Sequence, residues 1–178
     1  ELVPVAVRFL DDVIDISGYP LRAQAAEAKA KRRIGLGVTG LADALIMLGL
    51  HYGSPEAAER ARAWMAEIEA LAYRTSASLA KEKGSFPLYD AAAFAARPVM
   101  ERLPDDVRQE ISAHGLRNGL LTSIAPTGTI SLLAGNVSSG IEPVFSFKAE
   151  RRVLGADGRT ETAVVEDYAH ALFRQMFG

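Results

Sequence analysis

The sequence contains no cysteine. That excludes a disulfide framework, a thiolate zinc site, an iron–sulfur cluster and a cysteine nucleophile within these residues. Nothing then marks the chain as secreted, and a reducing, cytoplasmic setting is expected. An excess of either charge is lacking too. The 20 Lys and Arg face 22 Asp and Glu, a net of −2, which excludes a generally basic nucleic-acid binder. No apolar run approaches the roughly 18 residues of a membrane span, and no secretory leader opens the chain. Histidines number three, and neither H-E-x-x-H nor E-x-x-H occurs to suggest a metal site.

What is present suffices for a core. The 178 residues are 49% hydrophobic, and at roughly 100–200 residues per domain they form one domain or a piece of a larger one. The chain opens at Glu1 in an amphipathic stretch and closes in another, 165–177. The expectation is one segment, residues 1–178, of a longer polypeptide.

Hydrophobic spacing predicts a helix over 3–16, with Pro4 in its first turn and Asp11, Asp12 and Asp15 on a solvated face. A second is predicted over 21–33, its end rich in Lys and Arg. A short buried strand is expected at 34–38 and a helix at 39–48. Ser54-Pro55-Glu56 is a strong helix start, and the helix it opens runs to about Lys83, with Ala61, Trp64, Ile68, Leu71, Thr75 and Leu79 on one seam. Residues 84–104 read as irregular, 105–114 as a helix and 120–125 as a buried strand. The stretch 126–131 reads as a turn into a short helix, 136–140 as a polar loop and 142–147 as extended. A turn at 156–158 and a last helix from near Val165 complete the chain.

Two glycine-bearing stretches invite a chemical reading. Gly35-Leu-Gly37-Val-Thr-Gly40 fits the dinucleotide pattern G-x-G-x-x-G literally. Its glycines fall inside the expected strand rather than after it, and Glu59 opens a helix rather than ending a strand, so close strand–helix packing is the better reading. In Leu120–Ser131 (LLTSIAPTGTIS) a hydrophobic strand gives way to small and hydroxyl residues where a helix would begin. Unpaired N–H groups and the helix dipole favour an anion there, and Gly128 would admit a ligand close to the backbone. No lysine is present, so this is not the nucleoside-triphosphate P-loop. From the residues alone, a phosphate cradle and a simple Thr127 helix cap both fit, and capping is the commoner use.

The stretches RRIGLGVTGLADAL (32–45), LRNGLLTSIAPTGTISLLAGNVSSGIEPVF (116–145), ERRVL (150–154) and VAVRFLDDVID (5–15) together resemble the ribonucleotide reductase catalytic subunit, in wording its adenosylcobalamin-dependent form. The resemblance implies an α/β fold, this chain being a helix-rich segment from the later half of a ten-stranded α/β barrel. It implies that Pro126, Thr127, Gly128, Thr129, Ile130 and Ser131 hold the substrate's phosphates. Backbone N–H groups would be the main donors, and the Thr127 and Thr129 hydroxyls would assist. Gly140–Pro143 would shape the barrel wall. The family takes the ribose 3′ hydrogen with a cysteine thiyl radical and reduces the 2′ carbon with a cysteine pair, so this cysteine-free segment would carry no catalytic residue. Adenosylcobalamin in the parent enzyme, a ribonucleotide substrate, the remainder of the parent chain and a dithiol reductant such as thioredoxin are the implied partners. The competing expectations are a nicotinamide-dinucleotide-binding domain using 35–40 and a non-catalytic helical interaction module.

Overall fold

The computed structural model describes residues 1–154 and 158–178. In chain order the elements are α1 (Leu2–Ile16), α2 (Arg22–Lys31), β1 (Arg33–Leu36), α3 (Leu41–Met47), α4 (Pro55–Lys83), α5 (Ala91–Ala95), α6 (Pro98–Arg102), α7 (Asp105–His114), β2 (Leu120–Thr122), α8 (Gly128–Leu133), β3 (Lys148–Leu154), β4 (Thr160–Glu166) and α9 (Tyr168–Phe177). They form two compact units, Glu1–Leu36 with Ala63–Ser123, and Gly37–Arg62 with Ile124–Gly178.

In the first unit, one face of α1 carries Val3, Val7, Leu10 and Ile14, as its spacing requires. These pack with Ile34 of β1, Leu121 of β2 and Ala72 and Leu79 of α4. β1 and β2 pair in parallel, Arg33 beside Leu120 and Leu36 beside Thr122. Parallel strands need a long crossover, and the helices between them in sequence supply it. A second cluster joins Ala77, Phe94, Leu103, Val107, Ile111 and Leu116. Trp64 is half-buried and belongs to neither cluster.

The centre of this unit is also charged, against the expectation of a solvated aspartate face. Asp11 is fully buried and Arg32 is 3% exposed. The Arg32 guanidinium donates to Asp11 Oδ1 at 2.8 and 2.9 Å, to the Asp11 carbonyl at 3.0 Å and to both Asp15 oxygens at 2.7 and 3.0 Å. Asn118 Nδ2 donates to Asp11 Oδ1 at 2.9 Å, and Arg117 Nε to Asp11 Oδ2 at 3.3 Å. Asn118 is tied in turn to Ser76 of α4. Asp11, Asp12 and Asp15 do converge as a metal site would, but Arg32, Arg117 and Lys83 already neutralise them. A buried carboxylate persists only when paired and hydrogen-bonded, and this one is.

Several boundaries depart from expectation for local reasons. α2 stops at Lys31 because Arg32 takes a left-handed conformation (φ 43°), which turns its side chain into the network and starts β1 at Arg33. Within 84–104 two one-turn helices form. Asp90 accepts from the Ala93 N–H to cap α5, and Pro98 opens α6, where a missing N–H costs nothing. β2 ends at Thr122, not Ala125.

In the second unit, β3 and β4 make an antiparallel hairpin, in register from Lys148↔Glu166 to Leu154↔Thr160. The turn expected at 156–158 lies largely outside the described residues. Pairing starts at Lys148, so 142–147 is not a strand. Val165 faces Ala149 in the hairpin, and α9 therefore begins later, at Tyr168, where Asp167 accepts from the His170 N–H. α3 packs against α9. The observed architecture is helix-rich α/β, with two two-stranded sheets among the described residues. No helix among them is long and apolar enough to cross a membrane.

Candidate functional site

The turn 126–131 lies wholly in the second unit. Thr127 occupies the N-cap position of α8 with φ 48° and ψ 22°. A β-branched residue rarely adopts this left-handed conformation, and such strain costs about 1–3 kcal/mol unless the surroundings enforce it. The surroundings here are hydroxyls and backbone. The Gly140 N–H donates to Thr127 Oγ1 at 2.7 Å. Thr127 Oγ1 donates to Thr39 Oγ1 at 3.1 Å, and Thr39 Oγ1 donates to the Ser138 carbonyl at 2.9 Å. Thr127 makes no side-chain capping bond, so the simple cap reading fails.

Ser138 anchors the far end of this chain. Its carbonyl also accepts from the Gly40 N–H at 2.7 Å. Its hydroxyl accepts from the Ala42 N–H at 3.1 Å and so caps α3 from a distant loop. Its own N–H donates to Asp43 Oδ2 at 2.6 Å. Asp43 is buried and accepts from the Ala169 N–H through Oδ1 at 3.0 Å, which links the turn's support to α9. Beside Asp43 lies buried Asp167. Desolvation first, then the neighbouring Asp43 carboxylate, push the Asp167 carboxyl above its usual range.

Against this framework the six expected residues separate. The Thr127 carbonyl accepts from the Ser131 N–H at 2.7 Å. Gly128, Thr129 and Ile130 therefore hold the first three N–H groups of α8, which have no intrahelical acceptor, and all three residues are exposed. Gly128 has an ordinary φ, and a Cβ placed there would meet nothing within 4 Å. Neither packing nor conformation of this chain demands glycine at that position. Gly140 contrasts with it: φ is +50° and a Cβ would sit 2.5 Å from the Ala125 carbonyl oxygen, so the close approach that brings its N–H to Thr127 requires glycine. Ser131 is buried. Its hydroxyl donates to the Gly128 carbonyl at 2.9 Å and lies 3.3 Å from the Ser139 hydroxyl. Pro126 is exposed.

The residues 35–40 do not make a dinucleotide site. Gly35 lies within β1, where a Cβ would press on the Ser123 hydroxyl at 2.7 Å, and the Gly40 position is crowded by Val137. Their smallness serves packing.

Comparison with known proteins decides the family. The family profile described as "Ribonucleotide reductase, barrel domain" matches residues 1–175. The chain belongs to the ribonucleotide reductase barrel-domain family. Among similar ribonucleotide reductases, a vitamin B12-dependent ribonucleoside-diphosphate reductase of Mycobacterium tuberculosis (strain H37Rv) is 43% identical over 155 residues, 87% of this chain and 20% of the relative. The protein of the same description from Thermoplasma acidophilum is 36% identical over 184 residues, covering 99% and 22%. The ribonucleoside-diphosphate reductase subunit alpha of Helicobacter pylori (strain 26695) is 38% identical over 167 residues, covering 83% and 21%. The chain thus spans about a fifth of the length of these ribonucleotide reductases.

Sequence reasoning missed Thr39, Asp43 and Ser138 as parts of the site. Thr39 stands 88 residues from its partner Thr127, and a single sequence carries no signal for such a pairing.

Proposed function

We infer that this chain is the phosphate-holding part of a ribonucleotide reductase that converts ribonucleoside diphosphates to 2′-deoxyribonucleotides. The carrying observation is the row of three N–H groups without an intrahelical acceptor, on the exposed residues Gly128, Thr129 and Ile130, behind a Thr127 locked in place. Anions are stabilised at such a helix start. The Thr129 hydroxyl is exposed and has no partner among the described residues, so it is the side-chain donor that remains available. Ser131, with its N–H and hydroxyl both engaged, braces the turn from behind. Thr127 contributes its backbone conformation.

Fixing the diphosphate positions the ribose for radical chemistry, an orientation effect that can lower a barrier by several kcal/mol. The chemistry itself requires cysteines, which this chain lacks, and belongs to other parts of the parent. Adenosylcobalamin, the radical source that the relatives' names support, is assigned to the parent outside this segment, as is the dithiol reductant of thioredoxin type. A cytoplasmic setting follows from the same reading.

The ten-stranded barrel is part of this reading. The parallel β1–β2 pair has both outer edges open among the described residues, and so short an open sheet is marginal alone. Apolar side chains stand uncovered, with Leu2, Val5, Phe9 and Ile16 on the outer side of α1 and Phe145 fully exposed. Surfaces of this kind suit burial against the rest of a larger body.

The test is Gly128→Val in the full-length enzyme. Because a side chain at Gly128 meets nothing in the protein, the fold should survive. The expected result is a rise of about tenfold or more in KM for ribonucleoside diphosphate, the loss of one or more hydrogen bonds to a charged group. Unchanged substrate kinetics would overturn the assignment.

A further inference from the structure

The hydroxyl chain behind the turn has a fixed direction. A backbone N–H can only donate and a carbonyl can only accept. The Gly140 N–H therefore makes Thr127 Oγ1 an acceptor at one end, and the Ser138 carbonyl makes Thr39 a donor at the other. Between them, the single Thr127 hydroxyl proton must point to Thr39 Oγ1. Each hydroxyl gives one bond and takes one, and no proton is left over. Two consequences follow. The Thr127 hydroxyl is committed inside the protein and has no proton to offer a phosphate. And Thr39 Oγ1 is the acceptor that takes that proton, so it enforces the left-handed backbone from which the first turn of α8 departs.

We propose that Thr39 is a positioning residue for the substrate diphosphate: it never touches the ligand, and its hydroxyl holds Thr127 in the strained conformation that aims the Gly128, Thr129 and Ile130 N–H groups outward. The proposal rests on the reading of 126–131 as the phosphate turn. It assigns a task to the threonine of the Gly35–Gly40 stretch, which serves no dinucleotide. It also removes the Thr127 hydroxyl from the set of direct phosphate donors.

The support around Thr39 is rigid enough to make this role specific. The Ser138 carbonyl that receives its proton is fixed by four further bonds at the same residue, from the Gly40, Ala42 and Asp43 N–H groups and to the Asp43 carboxylate. Thr39 itself is half-buried. Valine at this position keeps the shape and removes both the acceptor for Thr127 and the donor to Ser138.

The experiment measures steady-state kinetics of the full-length enzyme with ribonucleoside diphosphate, together with inhibition by inorganic diphosphate, for Thr39→Val, Thr39→Ser, Thr127→Val and the double variant. Thr39→Val should raise KM and the diphosphate inhibition constant by about two- to tenfold, the range of one ordinary hydrogen bond, with kcat largely kept, as expected when uniform binding is lost. Thr39→Ser, which keeps the hydroxyl, should restore both. Thr127→Val removes the other partner of the same bond, so the double variant should be no worse than the worse single. If Thr39→Val leaves both constants unchanged while Gly128→Val raises KM, the positioning role is wrong and the phosphate turn stands. If neither variant moves KM, the phosphate turn fails and the proposal with it. A fall in melting temperature and kcat with KM unmoved, or additive losses in the double variant, would reduce Thr39 to a structural residue and overturn the proposal.

Discussion

At the scale of single residues, three positions show how differently this chain uses similar chemistry. Asp11 is buried and charged, and four donors surround it. Asp11→Ala would leave Arg32 buried with only the half-exposed Asp15 opposite it. Breaking such a pair from one side costs about 3–5 kcal/mol, so a clear drop in apparent melting temperature is expected. Gly140→Ala should also destabilise, since it meets both a left-handed backbone and the Ala125 carbonyl. The backbone shift forced by that clash should weaken substrate binding as well, because it displaces the residue 140 N–H that starts the hydroxyl chain. A melt at neutral pH and a KM determination on that variant check both effects. Gly128, with nothing near it, is the residue whose replacement should move binding alone.

At the scale of elements, the helices were the legible part of the sequence. α1, α4 and α7 follow from apolar spacing, and α4 from its Ser-Pro-Glu start as well. The boundaries that could not be read are those fixed by distant partners. α2 ends where Arg32 turns in to meet Asp11, 21 residues away. The start of α9 is delayed because Val165 is held by Ala149 across a hairpin. α3 is capped by Ser138, almost a hundred residues downstream. The turn 126–131 was visible as small and hydroxyl residues after a strand. Its working parts were not visible, because they depend on which hydroxyls and which N–H groups tertiary contacts have already engaged.

Element ends also carry a pH dependence. Asp167 caps α9 with a carboxyl raised above its usual range by desolvation and then by Asp43. The folded state then binds the proton more tightly than the unfolded state. Stability contributed there is present at low pH and is lost as pH rises through the raised value. Asp167→Asn keeps a good cap acceptor and removes the repulsion. It should raise the melting temperature at pH 7, and the gain should shrink as pH falls below about 4, where wild-type Asp167 becomes protonated in the unfolded state as well as the folded one. Asp15 runs the other way. The hydrogen bond from Arg32 holds its carboxyl below the usual range, so its contribution is present above about pH 4 and is lost as pH falls through the lowered value. Asp15→Asn should lower the melting temperature at pH 7 and lose its effect in acid. Melts of the two variants across pH 3–8 would show opposite trends.

At the scale of the whole molecule, the chain looks like part of something larger in ways its family membership explains. It spans about a fifth of its relatives, shows an apolar outer side on α1, and carries a parallel strand pair whose edges are open among the described residues. Its polar interior is arranged to hold backbone still. In the first unit the Asp11 network ties α1, α2 and α4 to the segment before β2. In the second, Ser138 and Asp43 hold α3, α9 and the turn together. Rigid support of this kind is what a binding turn needs if it is to fix a substrate and leave the chemistry to other groups. The most direct measurement is amide hydrogen exchange of the full-length enzyme, quenched on the millisecond scale, with and without ribonucleoside diphosphate. The N–H groups of Gly128, Thr129 and Ile130 have no acceptor in the helix and should exchange fast in the free enzyme. Ribonucleoside diphosphate and inorganic diphosphate should both slow them, and the nucleoside without phosphates should not. Exchange at 128–130 that stays fast with saturating diphosphate, while another segment becomes protected, would contradict the phosphate turn.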